Sequence, residues 1–280
     1  MAHFIIYTNE NKDHDLEMTG RIRSLLEAGG GLVTCLVTKE EQRQKLPTLT
    51  GDVMITLGGD GTILQAVRDL AGRQMPLVGV NMGHLGFLTE TGPEGIDDLV
   101  RKLLASEYTI DRRMMLEGAL LEHEEQQAGK TALNDIVLSR SGSLEILRFQ
   151  VYVNGEFFHE YLADGIILST PTGSTGYNLS AGGPLIEPNA SMITLTPICP
   201  HSLNQRSILL SSEDEIEFRI PLSKDGNEQS IEAYFDGQEK IKLHSGSILQ
   251  VKRSSKTTDV IRVNQDSFLE VLNRKLGENL

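Results

Sequence analysis

The sequence contains no tryptophan, only two cysteines, and few aromatic residues, which make up 5% of its 280 positions. Cys35 and Cys199 are too few and too far apart for a disulfide framework or a zinc cluster, and each is predicted to be a small buried hydrophobe. No apolar run approaches the roughly 20 residues that span a bilayer, and the N-terminal segment turns polar too early for a secretory signal. We therefore expect a cytoplasmic protein without a structural metal or a membrane partner.

Basic residues are also scarce. The chain has 26 Lys and Arg against 39 Asp and Glu, which gives a net charge of −13. Nucleic-acid binding draws most of its affinity from Lys and Arg that neutralise phosphates, so no nucleic-acid partner is expected. A small phosphorylated ligand remains compatible with this charge, because backbone amides and a divalent cation can hold its phosphates.

The pattern of predicted elements changes near residue 115. Before it, strand-like and helix-like segments alternate, which predicts an α/β domain with a doubly wound parallel sheet. Beyond it, short strand-like runs separated by turn formers predict an antiparallel, sandwich-like domain. The last segment returns to helical spacing. We therefore predict one domain over residues 1–115, with residues 262–280 packing back on it, and a β-rich domain over residues 116–261.

The most informative segment is VMITLGGDGT, a strand-like run that ends in glycines just before a helix-like segment. Gly58, Gly59 and Gly61 are predicted to allow positive φ and close approach of a ligand, and amides at a helix start bind anions. Asp60 would repel phosphates, so we interpret it as a proton acceptor for a substrate hydroxyl or as a group that helps to hold a metal ion. The alternative is a tight turn with Asp60 as the helix N-cap.

A second loop of unusual composition follows in the predicted β-rich domain. The segment DGIILSTPTGSTGYNLSAGGP, residues 164–184, is dense in hydroxyls and glycines, and Tyr177 can stack on a planar ring. We interpret it as a nucleotide-contacting loop, with an ordered set of stacked turns as the alternative. Asn134 and Asp135 begin another strand-like run. Adjacent residues of a strand point to opposite faces, so one could contact a ligand while the other braces the site, or both could form a turn.

Six segments together resemble the NAD kinase family, in the order in which that family carries them. They are LGGDGT (57–62), NMGHLGFLTE (81–90), LNDIVL (133–138), DGIILSTPTGSTGYNLSAGGP (164–184), CPHSL (199–203) and FDGQ (235–238). GGDGT alone is weak evidence, because 6-phosphofructokinases and lipid kinases share a similar motif. The loop that follows the Asn-Asp pair is much more specific.

The resemblance implies transfer of the γ-phosphate of ATP, with Mg²⁺ or another divalent cation, to the 2′-hydroxyl of the adenosine ribose of NAD, giving NADP. In that pattern Asp60 is the general base. The donor-phosphate contacts would be Gly58, Gly59, Gly61 and Thr62.

The resemblance also implies the contacts to NAD. Phe87 would pack near the adenine, unless it is a core residue, and Asp135 would hold ribose hydroxyls of the nicotinamide half. The implied NAD-binding set is Gly61, Phe87, Asn134, Asp135, Asp164, Thr172, Thr175, Gly176, Tyr177, His201 and Gln238. His201 and Gln238 also have structural interpretations, as a histidine beside a proline and as part of a tight turn.

One departure from the family concerns the residues before Asp164. Leu162 and Ala163 stand where many members carry a basic or polar residue, which leaves open the donor, ATP or polyphosphate, and the acceptor, NAD or NADH. By resemblance we expect a homodimer or homotetramer. Two other functions stay under consideration: a lipid or sugar kinase with the GGDGT motif, and a dinucleotide-binding sensor without activity.

Overall fold

The computed structural model describes residues 1–83, 86–122, 125–126, 128–142, 145–202, 206–264 and 266–277. His84 and Leu85 of the NMGHLGFLTE segment and Leu203 of CPHSL lie outside the described residues. Contacts divide the chain into a first unit, Met1–Arg113 with Thr258–Leu280, and a second unit, Met114–Thr257. The sequence-based boundaries are residues 115 and 262.

The first unit alternates strands and helices along the chain. Its elements are β1 (His3–Thr8), α1 (Glu17–Ala28), β2 (Leu32–Val37), α2 (Glu40–Arg43), β3 (Val53–Gly58), α3 (Asp60–Asp69), β4 (Leu77–Asn81), β5 (Thr89–Thr91) and α4 (Ile96–Ala105). The strands pair in parallel in the order β2-β1-β3-β4, with β5 beside β4. A parallel sheet is covered on both faces, which is why β3 is apolar and buried along its whole length.

Helices cover both faces of this sheet. Phe4 and Ile6 of β1 belong to a core that includes side chains of α1 and α4. Tyr7, which points to the other face because side chains alternate along a strand, donates a 2.6 Å hydrogen bond to Asp69 at the end of α3. The predicted doubly wound arrangement is therefore confirmed.

The second unit is built almost entirely of strands. The next elements are β6 (Thr109–Glu122), β7 (Glu125–Gln126), β8 (Lys130–Ala132), β9 (Asp135–Arg140), β10 (Leu147–Val153), β11 (Glu156–Ala163), β12 (Gly165–Ser169), α5 (Tyr177–Ser180), β13 (Met192–Ile198), β14 (Ile208–Ser211), β15 (Ile216–Arg219), β16 (Ser230–Phe235), β17 (Glu239–His244), β18 (Ile248–Arg262) and α6 (Phe268–Gly277). Of these, α6, the first residues of β6 (109–113) and the last residues of β18 (258–262) belong to the first unit.

Two antiparallel arrays of strands share one core in the second unit. One runs in the order β14-β13-β12-β9-β16-β17, and the other contains β11, β10, β15 and β18. Ile166 and Ile231 of the first array cluster with Phe149 and Phe218 of the second. Strand β10 alternates buried and half-buried residues along its first part, as a strand with one apolar face does. The predicted antiparallel sandwich is confirmed.

Two further observations bear on the sequence-based expectations. The prediction that both cysteines are buried is wrong, because both are exposed. Cys35 lies on β2, at the edge of the parallel sheet, and Cys199 follows β13 in a left-handed conformation with φ 44°. No helix in the described part of the chain is long and apolar enough to cross a bilayer.

Candidate functional site

The GGDGT turn joins the buried strand β3 directly to α3. The helix begins at Asp60 itself, and the extended Gly59 is its N-cap, so the assignment of Asp60 as the N-cap is wrong. The first amides of a helix have no partner within the helix. The Thr62 amide donates to the Gly59 carbonyl at 2.9 Å. The amides of Asp60 and Gly61 are therefore the backbone donors of this turn to which an anion can bind.

Positive φ is not the reason for the glycines of this turn. None of Gly58, Gly59 and Gly61 has a positive φ, so that expectation is wrong. A Cβ built at Gly58 would lie 2.1 Å from Thr62 Oγ1. A Cβ built at Gly59 or at Gly61 would have no heavy atom within 4 Å. The first glycine thus permits close packing, while the other two leave space beside the backbone that a ligand can enter.

Asp60 is held by the segment that follows β4. Its Oδ2 accepts the Phe87 amide at 2.8 Å and its Oδ1 accepts the Leu88 amide at 3.1 Å. A Cβ at Gly86 would lie 1.8 Å from Asp60 Oδ1, so only glycine fits there. A carboxylate offers about four lone-pair positions. Each oxygen of Asp60 can therefore still accept a proton from a substrate hydroxyl.

Phe87 lines a cavity of the first unit and does not lie in its core. The residue is half-buried, and the cavity, of about 160 Å³, is also lined by Glu90, Arg262 and Arg274. Lys275 Nζ lies 4.8 Å from the centroid of the Phe87 ring, within the range of a cation–π contact. The interpretation of Phe87 as a core residue does not describe this position.

Glu90 stabilises the segment that carries Phe87, and no local sequence pattern predicted this role. Its side chain is 3% exposed and pairs with Arg262 at 3.0 Å. The other carboxylate oxygen accepts the amides of Val263 and Asn264 at 2.9 and 2.6 Å. These contacts fasten β5 to the residues that follow β18. The partners are 173 residues apart along the chain, so only the folded structure reveals them.

In the second unit, Asn134 and Asp135 converge on one glycine. A Cβ at Gly176 would lie 3.5 Å from Asn134 Nδ2 and 4.0 Å from Asp135 Oδ2. The two side chains therefore do not point to opposite faces, because β9 begins only at Asp135. Asn134 Oδ1 is buried and has no hydrogen-bond partner among the described residues. An unsatisfied buried acceptor of this kind is suited to a ligand donor.

The Asp135 carboxyl group has a strongly perturbed environment. Burial, and to a smaller extent the neighbouring charge of Asp236, together raise the pKa of Asp135 to about 7. Asp135 is 6% exposed. Perturbed carboxyl groups of this kind are common at functional sites.

Asp236 is the residue that the sequence interpretation missed in the FDGQ segment. Its carboxylate accepts the amides of Leu133, Asn134 and Asp135. The sequence analysis pointed instead to Gln238. This residue is exposed, and its backbone N–H donates to the Phe235 carbonyl at 3.1 Å in the turn.

The hydroxyls of the loop at residues 170–176 bond largely to the loop itself. Ser174 Oγ donates to the Pro171 carbonyl at 2.6 Å and accepts the Ile186 amide at 3.0 Å. Thr175 Oγ1 donates to the Thr172 carbonyl at 3.2 Å. Thr172 is buried, with 5% exposure. Much of the hydroxyl content therefore stabilises stacked turns that present Gly176 to Asn134 and Asp135.

The remaining predicted residues are more exposed. Tyr177, the first residue of α5, is 49% exposed, so its ring is accessible for stacking. Asp164 pairs with Arg140 at 3.2 Å, with both side chains half-buried. His201 is exposed, and its amide donates to the Leu162 carbonyl at 2.8 Å. Arg140 thus supplies a cation close to the stretch where Leu162 and Ala163 depart from the family pattern.

Comparisons with known families agree over both units. The model of the ATP-NAD kinase N-terminal domain matches residues 7–108, and that of the ATP-NAD kinase C-terminal domain matches residues 133–263. The NAD kinase of Lachnospira eligens is 40% identical over 99% of this chain and 100% of its own. The NAD kinase of Thermoanaerobacter pseudethanolicus is also 40% identical, over 98% of each chain.

Solved structures show the same fold. Yeast NADH kinase complexed with NADH superposes with a TM-score of 0.84 at 24% identity, covering 99% of this chain and 88% of its own. An NAD kinase from Archaeoglobus fulgidus in complex with ATP gives a TM-score of 0.79 at 24% identity, covering 98% of each chain. The two family models, together covering most of the chain, define a nucleotide-binding kinase with this α/β and β-sandwich fold. The family matches then narrow the class: the chain belongs to the NAD kinase family.

Proposed function

We propose that this kinase transfers the γ-phosphate of ATP to the 2′-hydroxyl of the adenosine ribose of NAD, producing NADP, with Asp60 as the general base. The observation that carries the proposal is the position of Asp60 in the first turn of α3. A carboxylate with free lone pairs lies there among backbone amides suited to phosphates.

The first unit would bind the phosphoryl donor. Phosphoryl transfer depends on positioning and on neutralising charge, without a covalent intermediate. The open backbone at Gly59 and Gly61 would contact the donor phosphates. Thr62 was also predicted to contact them, but its side chain is buried and its Oγ1 accepts the Gly59 amide at 3.4 Å, so it would support the turn from inside. Asp60 would receive the proton that the 2′-hydroxyl loses.

A divalent cation would enter with the donor. In the described residues no group of three or more His, Cys, Asp and Glu side chains could hold a metal ion. Mg²⁺ would be bound mainly by the phosphate oxygens of ATP, where it neutralises their charge.

The second unit would bind the dinucleotide. Leaving a buried polar atom without a hydrogen bond costs about 1–3 kcal/mol, which a donor group of NAD would offset at Asn134 Oδ1. Asp135 would accept ribose hydroxyls, and the exposed ring of Tyr177 would stack on a base. The names of the two structural relatives mention NADH and ATP, which supports a nicotinamide dinucleotide as acceptor and ATP as donor.

Two further proposals concern the oligomeric state and the cellular location of the protein. By resemblance to the family, we propose a homodimer or homotetramer, which sedimentation analysis of the purified protein would test. We also propose a cytoplasmic location, which fractionation of the source cells would test.

The reaction itself is tested by incubating the purified protein with NAD, ATP and Mg²⁺ and measuring NADP with an NADP-specific dehydrogenase. Each component is omitted in turn, and NADH and polyphosphate replace NAD and ATP in parallel reactions. We expect NADP formation that depends on ATP and on the metal. Binding of NAD without NADP formation from either donor would reject the kinase reaction and favour a dinucleotide sensor.

A further inference from the structure

Thr170 and Asp236, from other parts of the second unit, form hydrogen bonds with the backbone carbonyls and amides of residues 133–135. Thr170 donates its amide to the Asn134 carbonyl at 2.9 Å and its hydroxyl to the Leu133 carbonyl at 2.6 Å. Asp236 donates its amide to the Asp135 carbonyl at 3.0 Å. The three carbonyls of this segment therefore all have partners.

The three amides of the same segment share a single carboxylate. Asp236 Oδ2 accepts the Leu133 amide at 2.8 Å, and Oδ1 accepts the amides of Asn134 and Asp135 at 2.7 and 3.2 Å. Hydrogen bonds to an ionised acceptor are stronger than neutral ones. The side chain of Asp236 thus fixes the path of the backbone where Asn134 and Asp135 project toward Gly176.

A turn of defined type carries this carboxylate. Asp236 and Gly237 both have positive φ, 47° and 70°, between β16 and β17. Two consecutive residues of positive φ are typical of type I′ turns, for which Asp-Gly and Asn-Gly are the preferred pairs. An aspartate is therefore suited to the turn, but the turn alone does not account for three amides of another segment bonded to its carboxylate.

We infer that Asp236 is a positioning residue for NAD binding, which holds residues 133–135 so that the Asn134 and Asp135 side chains meet the dinucleotide beside Gly176. The inference rests on the proposed function, because it assigns the dinucleotide contacts to that pair. Asp236 itself touches backbone and is not a catalytic residue. Its removal should weaken NAD binding and leave ATP binding and the chemical step unchanged.

The test compares two variants of Asp236 with a matched turn variant. Asp236→Asn keeps a preferred turn pair and one acceptor oxygen, but it places an NH₂ group against the Leu133 amide. Asp236→Ala removes all three bonds. Asn154→Ala is the control, because Asn154 and Gly155 form a turn of the same type between β10 and β11, with φ 52° and 81°. The Asn154 side chain also bonds to the Glu215 amide at 3.0 Å.

We expect the KM for NAD to rise about tenfold or more in Asp236→Ala, with a smaller rise in Asp236→Asn. The kcat, the KM for ATP and the NAD affinity of Asn154→Ala should remain at wild-type values. Equilibrium binding of NAD without ATP should show the same order among the variants. An unchanged KM for NAD in a folded Asp236→Ala protein, or an equal rise in Asn154→Ala, would overturn the inference.

Amide hydrogen exchange separates this inference from the proposed reaction. In the wild type the amides of residues 133–135 should be protected, and Asp236→Asn should lose protection at Leu133 while the core of β9 keeps it. Unchanged protection at Leu133 would refute the contact whether or not the enzyme makes NADP. If the wild type makes no NADP and binds no NAD, the proposed function fails and the positioning role fails with it.

Discussion

In the proposed function, Asp60 combines a structural and a chemical role at one position. As the first residue of α3 it lies where a negative side chain interacts favourably with the helix dipole. Its two hydrogen bonds with Phe87 and Leu88 fix the orientation of the carboxylate. A base that does not need to reorient when substrate binds loses little freedom on reaction.

Replacing Asp60 with Asn should lower kcat about 100-fold or more, because the amide cannot take up the hydroxyl proton. Steady-state kinetics with varied NAD and ATP measure this effect. Asp13→Asn is the control, because the Asp13 carboxylate also accepts two backbone amides, from Met18 at 3.2 Å and Thr19 at 2.9 Å. The control should keep its kcat. Near-normal turnover of Asp60→Asn would exclude the base assignment.

Asp135 shows the cost of burying a carboxyl group. Its pKa is raised to about 7, first by burial and then by the charge of Asp236. The folded state holds the Asp135 proton more tightly than the unfolded state does. Protonated Asp135 therefore contributes favourably to the free energy of unfolding. This contribution is complete below about pH 4 and is lost as the pH rises through about 7.

Asp135→Asn should therefore gain stability relative to the wild type as the pH rises. Between pH 5 and pH 8 we expect the difference in free energy of unfolding to grow by about 2–3 kcal/mol. Urea denaturation of both proteins at pH 5, 6.5 and 8 measures it. A constant difference over this range would show that Asp135 does not titrate there. NAD binding should weaken in the variant at every pH.

At the scale of elements, glycines in two connections give the first site its shape. Gly86 has no side chain, so the Asp60 carboxylate can reach the Phe87 and Leu88 amides. Gly61 lies at the start of α3 with open space beside it. Packing inside the protein thus requires a glycine at position 86, whereas the glycine at position 61 leaves room for a ligand at the backbone.

Alanine substitutions distinguish these two reasons. Gly86→Ala should lose both stability and activity, because its Cβ would lie 1.8 Å from Asp60 Oδ1. Gly61→Ala should lose activity but gain about 0.5–1 kcal/mol of stability, as alanine does for glycine within a helix. Gly20→Ala in α1 is the control, since it also has open space and should gain stability with full activity. Thermal denaturation and NADP formation are measured for all three. Full activity of Gly61→Ala would argue against a ligand at that backbone.

At the scale of the whole molecule, each unit has its own apolar core. The core of the first unit includes Ile55, and that of the second includes Ile231. Both side chains are fully buried. Residues that belong to one core can fold and open as a cooperative group.

Matched truncations test whether the cores are independent. Ile55→Val and Ile231→Val should each cost about 0.5–1.5 kcal/mol. Under native-state hydrogen exchange, Ile55→Val should lower protection mainly in β1 and β3, and Ile231→Val mainly in β9 and β16. An equal loss of protection in all strands from either variant would show one cooperative unit.

The sequence alone predicted the class of fold correctly and pointed to part of the candidate site. Alternating segment types predicted the parallel sheet, and short runs between turn formers predicted the sandwich, because these patterns follow from local backbone preference and one-sided burial. The GGDGT turn stood out because an aspartate beside phosphates is costly unless it does chemistry, whereas the Asn-Asp pair gained its role only from the family resemblance. Asp236 did not stand out, because its partner Asn134 is 102 residues away.

What the sequence determined by itself was the order and type of the elements and the presence of a carboxylate in a glycine-rich turn, since both depend on neighbouring residues. The tertiary structure decided why each glycine is needed, which hydroxyls stabilise their own loop, that both cysteines are exposed, and which carboxylate holds the Asn134–Asp135 backbone. These facts depend on strand pairing and packing between distant segments, and a local pattern carries no information about which distant atoms will meet.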